Sequence, residues 1–237
     1  MLRRVLAAVA GGVLLAGGCS GGGGTPPATS TTAAVATTAP PPGDRQLQSI
    51  VVQAGDLPAG WTAKPAHPPT DRAAADAAYA QCMGIADTDG DQVAMAYSPD
   101  FTNGSLVIAS TAASYRTRTA VPVDAAALLN PKASACLLQV GKGRLAASLP
   151  KGATIKTDTL KITPGPGSGP ANVVATAASS VSYVAAGHQL SLNDTIVWLA
   201  APRIEARIDF YSVGTPINPA VEAAVVAQVA HRVTFGS

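Results

Sequence analysis

Hydrophobic and polar positions alternate most cleanly late in the chain. From Arg203 to Phe210, charged and apolar residues take turns over eight positions, the period-2 signature of a strand with one buried face. Ile204, Ala206, Ile208 and Phe210 fall on one side of such a strand, while Arg203, Glu205, Arg207 and Asp209 fall on the other, beside water or a partner. Just upstream, Gln189–Ala200 alternates and then runs apolar through Ile196-Val197-Trp198-Leu199, with Ala201-Pro202 as the turn between the two strands. Strands are also predicted over Asn172–Val184 and Gly104–Ala112, and on weaker patterns over Val93–Tyr97 and Thr154–Ile162.

Helix signals bracket these segments. Thr70-Asp71 offers side-chain oxygens to the free N–H groups of a first turn and predicts a helix to about Met83. Asp124 predicts the start of a short alanine-rich helix. Asn130-Pro131 predicts another, with Asn as the cap and Pro at the first helical position, ending at Gly141. Asn218-Pro219 repeats that signature ahead of a helix on which Val221, Val225 and Val229 share one face. A short helix over Arg45–Ala54 opens the folded part. The late strands follow one another through short turns, which favours antiparallel pairing. The expected fold is α+β, with helices packed on an antiparallel sheet. The alternation at 203–210 predicts a sheet face that is partly open.

The first 43 residues follow different rules. Arg3 and Arg4 precede an uncharged, proline-free run from Val5 to Gly18, too short to cross ~30 Å of hydrocarbon as a helix and closed by small residues, as in a secretory signal. Residues 1–18 are therefore expected to be a signal peptide. Leu14-Leu15-Ala16-Gly17-Gly18-Cys19 resembles the lipobox of bacterial lipoproteins. The resemblance implies that Cys19 carries a diacylglycerol on its thiol and becomes the first residue after cleavage. The membrane would then be a partner through that anchor alone. Residues 20–43 hold no charge and one larger apolar residue, Val35; the rest is Gly, Ser, Thr, Ala and Pro. Such a segment buries too little apolar surface to offset its ordering entropy, so residues 19–43 are expected to be a lipidated cysteine and disordered linker. As a flexible coil the linker would span about 25–30 Å. Its threonines are candidate O-glycan acceptors. Residues 44–237 form the single extracytoplasmic domain.

Composition narrows the function. The chain carries 16 Lys+Arg against 14 Asp+Glu, and without Arg3 and Arg4 the balance is neutral. A nucleic-acid binder normally needs a basic surplus to displace counterions, so that class is excluded. The charge is unevenly distributed: residues 71–100 hold six Asp and one Arg, and residues 132–161 hold six Lys/Arg and one Asp. Such blocks complement a partner or one another.

Besides Cys19 there are two cysteines, Cys82 and Cys136. In an oxidising exported compartment a disulfide is the default reading. It would pin one helix to another and stabilise the fold by on the order of 4 kcal/mol. A redox pair or metal ligands are the alternatives, although neither cysteine belongs to a C-x-x-C and no histidine neighbours them.

The candidate chemistry is sparse. Asp87-Thr88-Asp89-Gly90-Asp91 has calcium-loop spacing at its start, but Gln92 and Ser98 stand where an EF-hand needs Gly and Glu, so a solvated turn is expected. His67, His188 and His231 form no zinc-binding spacing. Gly165-Pro166-Gly167-Ser168-Gly169-Pro170 lacks the spacing of a hydrolase nucleophile elbow and reads as a strand-to-strand loop. Trp61, in the turn Asp56–Trp61, is expected to fill a core. No catalytic residue, metal ligand or cofactor is assigned.

The lipobox, the alanine/proline/threonine-rich style of residues 1–43 and the disulfide-bearing domain resemble a cell-envelope lipoprotein of the actinobacterial, mycobacterial kind. The helix–sheet order and paired cysteines are similar, more distantly, to the extracellular sensor domains of actinobacterial receptor Ser/Thr kinases. This implies a lipid-anchored, non-catalytic binding or sensing module whose partner is an apolar ligand or an envelope protein. An envelope hydrolase with dispersed catalytic residues and a structural accessory subunit are the alternatives. A cleft between sheet and helices would favour the first; a histidine beside a serine or aspartate in a concave site would favour the second.

Overall fold

A computed structural model describes residues 41–68, 72–85, 91–149, 152–165 and 173–235. The signal peptide, the lipidated Cys19 and nearly all of the linker expected from the sequence lie outside the described residues. In chain order the elements are α1 (Asp44–Ile50), a 3₁₀ turn (Ala54–Asp56), β1 (Thr62–Lys64), α2 (Arg72–Met83), β2 (Gln92–Tyr97), β3 (Asp100–Asn103), β4 (Leu106–Tyr115), α3 (Ala120–Leu128), α4 (Ala133–Ser148), β5 (Thr154–Pro164), β6 (Val173–Ala185), β7 (His188–Ala201), β8 (Ile204–Val213) and α5 (Pro219–Phe235). The domain is α+β, as expected.

The eight strands form one antiparallel sheet in the order β1-β3-β4-β8-β7-β6-β5. β2 and β3 share one flank of β4: Thr111–Tyr115 pair with β2, and Leu106–Ile108 pair with β3. β1 and β3 have three and four residues, too few for a period-2 pattern to register, and the sequence reading passes over both. The long ribbon β6–β7–β8 turns tightly. Ala185 pairs with His188 across Ala186-Gly187, and both turn residues have positive φ, 51° and 80°. That backbone matches the right-handed twist of the flanking strands, but alanine is strained there by its Cβ.

The alternation in β8 divides the molecule into two cores. Ile204, Ala206, Ile208 and Phe210 are all buried and pack with Val197 and Leu199 of β7, Leu47 and Ile50 of α1, and Val225, Val229 and Val233 of α5. Trp61 packs against this core as expected. Asn218 Oδ1 accepts from the Ala220 N–H at 2.9 Å, so α5 starts where its signature predicts. Arg232, near the end of α5, fixes the layer. It donates to both carboxylate oxygens of Asp56, at 2.8 and 2.6 Å, and to the carbonyls of Ile50 and Val51 at 3.2 and 3.1 Å.

The opposite sheet face departs from expectation. Arg207, expected beside water or a partner, has a partner instead of water: it is 4% exposed and pairs with Asp209, and Glu205 accepts from the Tyr115 hydroxyl at 2.9 Å. The reason is coverage. α2, α3 and α4 lie on this side, with Leu128 of α3 on Ala175, Ala177, Ile196 and Trp198. The open face exists, but it belongs to β5 and β6 on the α1/α5 side. There Thr157, Thr159, Lys161, Thr163, Ala178 and Ser180 are exposed, small or polar residues that water can cover without cost.

Three helix boundaries also move, and the first is that of α1, which ends at Ile50 short of the expected Ala54, where a separate 3₁₀ turn begins. α3 begins at Ala120, four residues ahead of Asp124, which lies buried within it. Pro122 falls in the first turn, where a missing N–H costs nothing, so it does not delay the helix. Asn130-Pro131 forms a turn ahead of α4 rather than its first residues. Asn130 Oδ1 accepts from the Lys132 N–H at 2.9 Å and its carbonyl from the Ala133 N–H at 2.9 Å. α4 then runs through Gly141 to Ser148, although a mid-helix glycine costs about 1 kcal/mol, because packing holds both its ends. Cys136 bonds to Cys82 of α2 at an S–S distance of 2.07 Å within a cluster that includes Tyr79 and Met83. Leu145 packs on Tyr183, Leu192 and Tyr211. Of the helix predicted from Thr70-Asp71, α2 is described from Arg72 to Met83; the capping residues themselves lie outside the described residues.

Replacing Ala186 by Asn puts a residue tolerant of positive φ into the β6–β7 turn. Ala186→Asn is expected to stabilise the domain by about 0.5–1 kcal/mol, seen as a rise of a few degrees in Tm by circular dichroism. An unchanged or lower Tm contradicts the turn conformation.

Candidate functional site

The middle of α4 stands off the sheet. Its two ends are fastened, at Cys136 to α2 and at Leu145 to the strands. Between them a cleft of about 70 Å³ opens between α4 and β5–β8. Leu137, Val140 and Gly141 form its helical wall; Leu160, Val181, Ile196 and Trp198 are among the strand residues facing them. Gly141 is the reason for the gap. A Cβ at that position would meet nothing within 4 Å, so a side chain is missing from the helix face turned toward the sheet.

Four polar residues edge this apolar slot: Lys142, Asp158, Ser179 and Arg207. Lys142 and Asp158 form an ion pair at 2.8 Å, and the Lys142 side chain, 53% exposed, marks the mouth. Arg207 lies deeper. It faces its cross-strand partner Trp198, with the guanidinium carbon 5.9 Å from the ring centre, and Nε donates to Asp209 Oδ1 at 2.9 Å while Nη2 donates to the same oxygen. A guanidinium on an aromatic face keeps part of its electrostatic stabilisation after losing water.

A third acid belongs to this cluster. Asp194 of β7 pairs across the sheet with Ser179 on one side and Tyr211 on the other and is 5% exposed. Burial pushes its carboxyl up to about 8, the Asp209 carboxylate adds to the rise, and Arg207 opposes it. Asp209 is raised chiefly by burial, against the pull of Arg207. The two carboxylates compete for one guanidinium, and burial pushes both toward the protonated form. Burial also raises the Tyr211 phenol.

The other candidates from the sequence lie elsewhere. His67 Nδ1 contacts Asp100 Oδ2 at 2.9 Å on an exposed stretch. His188 is exposed at the start of β7. His231 stacks on Phe235 with ring centres 4.6 Å apart. None of the three lines the cleft. Asp87 to Gly90 lie outside the described residues. Asp91 accepts from the Thr117 N–H at 3.1 Å and from its hydroxyl, a contact with the segment that follows β4. Among the described residues no cluster of His, Cys, Asp or Glu could hold a metal ion. Most of residues 165–170 likewise lie outside the description, between β5 and β6, where the loop was expected.

The sequence reading singled out none of the cleft residues as a site. Two signals were present: the glycine inside a strongly packed helix, and the lone Asp194 in a strand otherwise turning apolar.

No protein-family model and no curated protein matches the chain. Among solved structures it is similar to the extracellular domain of PknH from Mycobacterium tuberculosis, with a TM-score of 0.40 and 11% identity, over 82% of this chain and 98% of that one.

Asp194 generates a pH dependence with a definite sign. Its folded pKa lies above the ordinary 3.8. Its contribution to stability is therefore complete below that value and is lost as pH rises toward about 8, because the unfolded chain releases the proton first. Asp194→Asn removes the titration. The variant should match the parent near pH 3.5 and exceed its Tm at pH 8, by about 2–4 °C per kcal/mol recovered. Equal Tm differences at both pH values would show that Asp194 is not a buried neutral acid.

Proposed function

We propose that the chain is a lipid-anchored, extracytoplasmic binding or sensing module of an actinobacterial-type cell envelope, moored through Cys19 and without catalysis of its own. The observation that carries the binding half is the apolar cleft beneath α4. Evolved cores are filled to near-crystalline density, and a slot lined by Leu, Val, Ile and Trp with a few placed polar groups has the composition of a small-molecule site. A hydrolase built on a histidine base would need that residue in the concavity, and none of the three histidines lines it.

The anchoring half rests on the lipobox ending at Cys19 and on a disulfide suited to an oxidising compartment. No helix among the described residues is long and apolar enough to cross a membrane. Two acyl chains on Cys19 suffice for stable attachment, at about 0.8 kcal/mol per buried methylene.

Metabolic labelling with an alkyne fatty acid tests the anchor. The parent chain should take up label and sediment with membranes, and Cys19→Ser should do neither; an unlabelled parent overturns the anchor. Native mass spectrometry of the protein drawn from its own envelope tests the module. A co-purifying small apolar molecule, lost from a variant with a filled cleft, is the expected result.

A further inference from the structure

The charges around the cleft restrict what can enter it. An apolar slot with an unpaired cation at its end would hold a fatty acid or an acidic lipid, and one with an unpaired carboxylate would hold an amine. Among the described residues this cleft shows neither. Lys142 at the mouth is paired with Asp158 at 2.8 Å. Arg207 at the floor is paired with Asp209 through two donors and rests on Trp198. Asp194, the cross-strand neighbour of Ser179, is buried and is not among the residues that line the slot. Of the described cations in residues 132–161, Lys142 lines the slot, and its partner Asp158 belongs to the same block.

We propose that the cleft takes an uncharged ligand through an unbranched alkyl chain, and discriminates against the same chain ending in a carboxylate or an ammonium. The inference rests on the reading of the cleft as the binding site and adds the class of ligand. A charged head group would have to break one of the two ion pairs or enter unpaired, and burying an unpaired charge is far costlier than burying a hydroxyl. Ser179 is the neutral polar side chain on the lining, matched to a hydroxyl or ester oxygen. Size points the same way. About 70 Å³ is roughly half of the ~150 Å³ apolar cavity that admits benzene, so the slot takes the end of a chain, a few methylenes long, and not a ring system. Gly141 sets the width, since nothing stands within 4 Å of its missing Cβ.

Three probes of equal length decide it: 1-decanol, decanoate and decylammonium, titrated below their aggregation concentrations. The protein is the full chain carrying Cys19→Ser, which removes any acyl group of its own. Trp198 in the cleft wall reports binding by fluorescence, with Trp198→Phe as the control for the other tryptophan, Trp61. Decanol should bind at least about tenfold more tightly than either ion, a difference of 1.4 kcal/mol or more. Gly141→Leu should weaken decanol at least tenfold while keeping a cooperative unfolding transition, since leucine is the better helix former. If decanoate or decylammonium binds as tightly as decanol, the uncharged-ligand proposal is overturned and the cleft reading stands. If no probe binds, or if Gly141→Leu leaves decanol binding unchanged, the cleft reading itself is overturned.

Discussion

The second face of the sheet is organised by how α4 is held. Sixteen residues of helix cross four strands with a covalent bond near one end and a leucine wedged among aromatic rings near the other. Between these points Gly141 withdraws a side chain from the packing. A helix fastened only at its centre would rock until its ends found contact; fastened at its ends, it bridges. The cleft is the space under that bridge. It persists because closing it would mean bending a helix whose termini are fixed, and bending without a proline, π-bulge or inserted group is uncommon.

The same coverage forces the electrostatics. Strand β8 brings Glu205, Arg207 and Asp209 to a face that α4 and its neighbours shield from water. Charges in that setting must find partners or lose their charge. Glu205 receives the Tyr115 hydroxyl, Asp209 receives the guanidinium, and burial raises the Asp194 carboxyl. The register of β7 and β8 places Arg207 opposite Trp198, which brings its guanidinium to Asp209.

Much of the fold was legible because strands and capping motifs write short-range patterns. The alternation at 203–210, the apolar run through Trp198 and the Asn218-Pro219 signature each correspond to an element of the structure. The antiparallel order followed from the short turns. The patterns failed where the deciding contact is remote. Period-2 alternation states that one side of β8 differs from the other, but not that a helix seventy residues upstream in the chain will cover the charged side. For that reason the open face was assigned to β8 when it belongs to β5 and β6. The site was hidden by the same limit. Gly141 looked like a helix end because glycine usually is one; only with Cys136 and Leu145 both anchored does it become the gap in a continuous helix.

Arg232 also bears on how the protein is made. Its guanidinium clasps Ile50, Val51 and Asp56, so the first few residues of the domain and the last few must meet before the larger core can seal. β8, in the middle of the sheet, is likewise the final strand synthesised. Pairings of such long sequence separation form slowly. A chain wired this way cannot complete its fold while it is still emerging vectorially. It stays pliable until the C-terminus is free, and in that condition a polypeptide can be threaded through a narrow pore.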